Sequence, residues 1–199
     1  MTEPVLYYVR HGETEWNREG RLQGQRDSTL TARGRAQTVQ SAEIVQDLVA
    51  RDGGDLAALD FVASPLGRAR ATMEGLRAAL GLDPTDYHTD VRLAELSFGR
   101  WEGVAYPQLV AHEGEALAAR ERDKWNFTPP GGESYADLMA RVRAWHATVG
   151  RPSVVVAHGG TARALVALRG IAVPDKAAVF DIDQGVVYRF AAGGVVRYA

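Results

Sequence analysis

The chain has 199 residues, 46% of them hydrophobic and 24% charged, which suits one globular domain able to bury its core without disulfides. Its 23 Lys and Arg against 25 Asp and Glu leave a formal charge of −2, which gives no grounds for non-specific nucleic-acid or membrane binding. Cysteine is absent, which excludes disulfides, thiolate metal sites and cysteine-based catalysis.

The opening Met1–Glu13 has no basic leader, and its apolar run is too short for a signal or a membrane span, so the cytoplasm is the expected compartment. Val5 to Val9 is rich in β-branched and aromatic residues and predicts a buried strand, ended by Arg10-His11-Gly12. From Thr31 to about Ala50 the spacing of Ala36, Val39, Ala42, Val45 and Val49 predicts a helix with Thr31 as its N-cap and Gly53-Gly54 as its break. Leu59 to Ala63 predicts a second strand, running through Ser64-Pro65 into a helix from about Leu66 to Leu80. The stretch from Trp101 to Gly132 mixes charge, aromatics and a Pro-Pro-Gly-Gly turn, and is expected to be an inserted cap or lid.

Ser134, with Asp137 three residues on, predicts a capped helix start. Leu138, Met139, Val142, Trp145 and Val149 share the apolar face of that helix, and Gly150 and Pro152 supply its stop. Ser153 to Ala157 predicts a third strand ending at His158-Gly159-Gly160, followed by a helix from about Thr161 to Leu168. Ala177–Ile182, Val186–Phe190 and Val195–Tyr198 are expected as late strands, the last two joined by a turn at Gly193-Gly194. Alternating strands and helices imply an α/β fold: a mostly parallel sheet covered on both faces, with an antiparallel edge.

Three predicted strands end in polar turns: Arg10-His11-Gly12-Glu13-Thr14, Ser64-Pro65-Leu66-Gly67-Arg68 and His158-Gly159-Gly160. In open parallel sheets ligands bind at the carboxyl ends of strands. If these three strands are neighbours, two His and two Arg meet in one crevice, and Glu95 adds a candidate acid. That inventory suits phosphoryl transfer, where charge spread over the equatorial oxygens needs fixed cations. The planar Arg fork binds such oxygens in a bidentate way. Neutral imidazole is a competent nucleophile, and a carboxyl of raised pKa best protonates a leaving alkoxide. Each residue also has an ordinary structural reading. A lone His at a strand end is usually structural, and Arg68 beside Arg70 reads as a solvated helix start. His88, His112 and His146 keep that structural reading, as does the aromatic helix face at Trp145.

Together these residues resemble the histidine phosphatase superfamily, which includes cofactor-dependent phosphoglycerate mutase. The likeness spans nearly the whole chain. It is carried by Arg10-His11-Gly12-Glu13-Thr14 with Trp16-Asn17, by Arg21, Gln23-Gly24, Asp27, Leu30-Thr31 and Gly34, and by Ser64-Pro65-Leu66-Gly67-Arg68-Ala69 with Thr72. Leu93-Ala94-Glu95 with Phe98-Gly99-Arg100-Trp101-Glu102-Gly103, Pro130-Gly131-Gly132-Glu133-Ser134 and Val156-Ala157-His158-Gly159-Gly160 complete it in order. The resemblance implies a three-layer α/β/α sandwich in a single domain, 1–199, with the lid at about 101–132. It implies His11 as the phosphorylated nucleophile, with Arg10, Arg68 and His158 forming the phosphate pocket. Asn17 would help hold the phosphoryl oxygens, and Gly24 and Gly159 would line the pocket. Glu95 would be the proton donor and later the base for water. No metal or organic cofactor is implied, since arginines take the place of magnesium.

Two departures bear on the reaction. Mutases carry adjacent lid arginines for a second acidic group of the substrate, whereas this lid has Arg120-Glu121-Arg122. Gln184 stands where phosphatase relatives often have Asn, and is expected to loosen a supporting contact. A phosphoric monoester hydrolase acting on a small-molecule phosphate ester is therefore expected ahead of a mutase or a non-catalytic phosphate binder. Trp125, Phe127 and Arg122 are lid candidates for the substrate pocket. Phe180-Asp181-Ile182-Asp183-Gln184-Gly185 superficially resembles an aspartate-nucleophile motif, but only a hairpin remains downstream of it. A metal hydrolase using His11, Glu13 and His158 lacks the usual helical His pair or acidic cluster. A homodimer through an edge strand is the expected assembly.

Overall fold

The computed structural model describes residues 3–199; the reading of the extreme N-terminus at Met1 and Thr2 lies outside them. In chain order the strands are β1 (Leu6–Arg10), β2 (Asp60–Ala63), β3 (His88–Thr89), β4 (Ser153–Ala157), β5 (Val187–Ala191) and β6 (Gly194–Tyr198). The helices are α1 (Glu15–Arg18), α2 (Ala32–Arg51), α3 (Gly67–Ala79), α4 (Tyr106–His112), α5 (Gly114–Arg122), α6 (Tyr135–His146), α7 (Gly159–Leu168) and α8 (Pro174–Ala177). The strands form one sheet of order β3-β2-β4-β1-β5-β6. The pairs β3–β2, β2–β4 and β4–β1 are parallel, while β5 and β6 are antiparallel additions at one edge.

The apolar strands are continuous because both faces of the sheet are covered. Leu6 and Tyr8 of β1 point into one cluster with Leu138, Val142 and Trp145 of α6 and Leu165 of α7. Tyr7 and Val9 point the other way, against Val45 and Leu48 of α2 and Met73 and Leu76 of α3. The α/β/α sandwich follows from that period-two alternation. Thr31 caps α2 by accepting from Gly34 N at 3.0 Å, and Ser134 and Asp137 form the expected reciprocal cap of α6.

Three differences from the sequence reading have physical causes. Ala177–Ile182 is not a strand. Pro174 opens the short α8, and the carbonyls that follow serve arginines: Phe180 O accepts from Arg163 Nε at 2.9 Å and Ile182 O from Arg10 Nη1 at 2.7 Å. Helix α7 begins at Gly159 rather than Thr161, so both glycines lie in its first turn. The 101–132 segment is more regular than its sequence suggests, since α4 and α5 pack Leu109 and Leu117 around Trp101, on which Phe127 stacks.

Candidate active site

Register places the strand-end residues together. Arg10 pairs with Ala157 across β1–β4, and Ala63 with Val156 across β2–β4. His11 N donates to Ala157 O at 3.0 Å and Ser64 N to Val156 O at 2.9 Å, so His11, Ser64 and His158 leave three adjacent strands at one level. The His11 and His158 rings lie 5.3 Å apart, centre to centre, and both are buried.

His11 is held from both ends. Its Nδ1 lies 2.8 Å from Gly12 O, and a carbonyl only accepts, so Nδ1 carries the hydrogen. Nε2 then bears the lone pair, and it accepts from Arg68 Nε at 3.2 Å. The loop that makes this possible needs Gly12: a Cβ there would sit 2.3 Å from Gly34 O, at the start of α2. Burial, then the Arg68 and Arg10 charges, hold the His11 pKa well below the usual imidazole range, so the ring is neutral near pH 7.

Arg68 reaches this position because α3 starts directly after the strand-end turn. Its Nη1 donates to Arg26 O and Asp27 Oδ1 at 2.7 and 2.8 Å, and its Nη2 to Gly24 O at 2.7 Å. Asp27 also accepts from Gly67 N, at the N-terminal end of α3. The protein thus uses four of the five donors a guanidinium carries, leaving one Nη2 hydrogen. Gly24 contributes its carbonyl to Arg68 and is not among the residues lining the cavity.

Two buried polar atoms here have no partner among the described residues: Arg10 Nε and His158 Nδ1. His158 Nε2 meets Ser64 Oγ at 2.7 Å, and burial with the neighbouring Arg68 charge pushes its pKa well below the usual range. Burial likewise lowers that of Arg10. Leaving a buried donor unmet is costly, and a bound oxyanion is the kind of group that would meet it.

Asn17 closes a third side. Its Oδ1 accepts from Thr14 N and Oγ1, both at 3.1 Å, and from Gln184 Nε2 at 3.0 Å, which leaves its NH2 for the cavity. Gln184 Nε2 also donates to His11 O at 3.0 Å. The expected loosening at Gln184 is therefore not found; the longer side chain reaches both partners. Glu95 sits opposite, its Oε1 accepting from Leu96 N at 2.8 Å and its Oε2 from Gly160 N at 3.1 Å. The backbone at Glu95 is fixed by Arg141 Nη2, which donates to Glu95 O at 2.9 Å while the same guanidinium grips Glu133. Gly160 admits the carboxylate, for a Cβ there would lie 2.2 Å from Glu95 Oε1.

These groups open onto a cavity of about 240 Å³ lined by Arg10, His11, Asn17, Arg68, Glu95 and Gly159. His158 lies directly behind it, fully buried. Arg120, Lys124, Tyr135 and Arg163 complete its far wall, and sequence reasoning missed all four. Arg163 had a legible signal: it stands one helical turn after Gly159, on the same face of α7. The lid candidates chosen instead are elsewhere. Trp125 is buried in a stack on Tyr135, Phe127 stacks on Trp101, and Arg122 is exposed. Asp181 and Asp183 are exposed outside this cavity, Asp183 paired with Arg197, as the structural reading of that motif requires. A larger, mainly apolar groove of about 700 Å³ between α2 and α3 shares only Arg68 with the cavity. Among the described residues, no three His, Asp or Glu side chains converge as metal ligands.

The sequence profile of the histidine phosphatase superfamily (branch 1) matches residues 6–193. Glucosyl-3-phosphoglycerate phosphatase of Mycobacterium tuberculosis is 37% identical over 176 residues, which cover 81% of this chain and 73% of that protein. A probable phosphoglycerate mutase of Salmonella paratyphi C is 36% identical over 159 residues, covering 77% and 69%. The solved structure of a mycobacterial glucosyl-3-phosphoglycerate phosphatase in complex with VO3 superposes with a TM-score of 0.79 at 30% identity, over 98% of this chain and 96% of that one. With the strand-end histidines, the arginines and this likeness in hand, the chain belongs to the histidine phosphatase superfamily, branch 1.

Proposed function

We propose that the chain, a phosphoric monoester hydrolase of this superfamily, works by passing the phosphoryl group first to His11 and then to water. The observation that carries the reading is the tautomer: Gly12 O accepts the hydrogen bond from Nδ1–H, so the lone pair is on Nε2, where Arg68 Nε donates to it. In the first step Nε2 forms a bond to phosphorus and the ester P–O bond breaks. The leaving alkoxide takes the proton of Glu95. In the second step a water gives a proton back to Glu95 and attacks phosphorus; the P–N bond breaks, releasing phosphate and neutral His11. Arg10, Arg68, Asn17 and His158 hold the equatorial oxygens, whose charge these fixed donors meet without reorganisation. With the Ser64 hydroxyl donating to Nε2 of His158, Nδ1 carries a hydrogen for the phosphoryl oxygen. The amide of Gly159, at the positive end of the ten-residue α7, adds to the same field.

The substrate class is a small-molecule phosphate ester, supported by the modest cavity of about 240 Å³ and by phosphatases among the relatives. Segment 101–132 serves as the lid, a reading supported by Arg120 and Lys124, which line the cavity from it. No helix among the described residues is long and apolar enough to cross a membrane, and we place the activity in the cytoplasm. Turnover of an aryl phosphate with release of inorganic phosphate, abolished in His11→Ala, tests the reading. Binding of phosphate without turnover would leave a phosphate-binding protein, and transfer to a second alcohol in preference to water would leave a mutase.

A further inference from the structure

Glu95 has to keep its carboxyl in one place while a proton leaves it and returns, yet it stands in a loop rather than in a strand or helix. That loop lies between the short helical turns Val91–Leu93 and Gly99–Trp101. One guanidinium holds its first half. Arg141, on α6, donates from Nη1 to Arg92 O at 2.9 Å and to Ala94 O at 2.6 Å, and from Nη2 to Glu95 O at 2.9 Å. Its Nε and the second Nη2 hydrogen go to Glu133, to Oε1 at 3.0 Å and Oε2 at 2.9 Å. All five donors of the side chain are thus used, which needs the planar fork of an arginine.

The acceptors have a pattern. Ala94 O belongs to the peptide unit before the Glu95 Cα, and Glu95 O to the unit after it. A peptide unit is planar, so fixing both carbonyls fixes the two backbone rotations that aim the side chain. The second unit also touches the acid: its N–H, that of Leu96, donates to Glu95 Oε1 at 2.8 Å. Arg141 therefore acts on the carboxyl through one intervening peptide. Glu133 secures the loop further on, its Oε2 accepting from Ser97 N at 3.0 Å and its own N donating to Ser97 O at 2.9 Å. Gln25 reaches Glu95 O as well, at 3.2 Å, but from an exposed position. An ordinary staple between this loop and α6 is present for comparison. Arg92 donates to Ala144 O at 2.9 Å and pairs with Asp90, and its side chain bonds to neither peptide unit of Glu95.

We propose that Arg141, oriented by Glu133, is a positioning residue for the proton transfers of Glu95. It keeps the carboxyl aimed first at the leaving oxygen and then at the attacking water, without touching substrate itself. The role assigned to Glu95 rests on the hydrolase reading; the hold on its carboxyl does not.

The test measures kcat/KM on alkyl phosphates against nitrophenyl phosphates in the wild-type protein and its variants. Arg141→Gln should slow alkyl esters by about ten- to a hundredfold, the scale of a misplaced general acid, and leave nitrophenyl esters within about threefold of wild type. Glu133→Gln should show the same bias with a smaller loss, and carries the test should Arg141→Gln fail to fold. Arg92→Gln should leave the ratio of the two ester classes unchanged. In a Glu95→Gln background, Arg141→Gln should cost nothing further on alkyl esters, because the group it positions is gone. A readout independent of turnover is the amide resonance of Gly160, whose N–H donates to Glu95 Oε2 from α7. In Arg141→Gln it should move toward its position in Glu95→Ala. Equal losses on both ester classes, the same bias in Arg92→Gln, or a Gly160 resonance that Arg141→Gln leaves in place would overturn the proposal. A displaced Gly160 resonance with no turnover of any ester by the wild-type protein would sustain the hold on Glu95 and overturn the hydrolase reading instead.

Discussion

Arg68 Nε donates to His11 Nε2 at 3.2 Å, so the guanidinium that would hold the phosphoryl group rests, in the free protein, on the nucleophilic nitrogen itself. The contact keeps the lone pair on Nε2 and disfavours protonation there, since an imidazolium would face a fixed cation. When Nε2 bonds to phosphorus, the same N–H is left to meet a phosphoryl oxygen. One residue thus poises the nucleophile and then stabilises the transferred group.

Arg68→Lys tests this double duty. A single ammonium cannot span His11, Gly24 O, Arg26 O and Asp27 together, because it lacks the planar fork. The expected result is a fall in kcat/KM on an aryl phosphate of about a hundred- to a thousandfold, the usual effect of removing one transition-state donor. Near-UV circular dichroism should show the fold retained. A loss of under tenfold would mean that Arg68 is structural only.

Glu95 lies across the cavity with both oxygens held by backbone amides. As the group that protonates the leaving oxygen, it matters most where that oxygen is basic. Glu95→Gln should slow alkyl phosphates by about a hundred- to a thousandfold more than nitrophenyl phosphates, whose leaving groups need no proton. Equal losses on both ester classes, measured as kcat/KM across a leaving-group series, would remove the acid role from Glu95.

The buried histidines predict a pH dependence of stability. The folded protein holds His11 and His158 neutral because their pKa values are pushed well down, while the unfolded chain protonates them near pH 6.5. Below that pH the unfolded state binds more protons, so stability is full above about 6.5 and falls with acidification toward the folded-state values. Each ring steepens the fall by up to about 1.4 kcal/mol per pH unit. Urea unfolding at pH 6 and pH 5 should show this slope reduced by roughly that amount in His11→Asn. An unchanged slope would mean that His11 is accessible to protons in the folded state.

Much of this site was legible because it is local. His11, Arg68 and His158 each stand at or just after the end of an apolar run, and a run of that kind names its own strand end. Thr31 and Ser134 announced their helices by the same local logic of caps. What stayed hidden depends on contacts between distant segments. The 177–182 stretch has strand-like residues, yet its carbonyls are taken by Arg10 and Arg163, a competition no window of sequence shows. Gly12 and Gly34 are pressed backbone to backbone, and neither alone predicts the other. The lid was harder still. Its aromatics, Trp125 and Phe127, look like substrate contacts but pack into apolar clusters, while Arg120 and Lys124, neither of them chosen as a contact, line the cavity.

The most direct measurement is chemical trapping of the intermediate. A labelled phosphate ester mixed with the protein in single-turnover amounts and quenched within the reaction should leave phosphate bound to His11 through Nε2, stable to base and lost in acid, and absent in His11→Ala. Label on a serine or aspartate, or no covalent species at any time during turnover, would contradict the account.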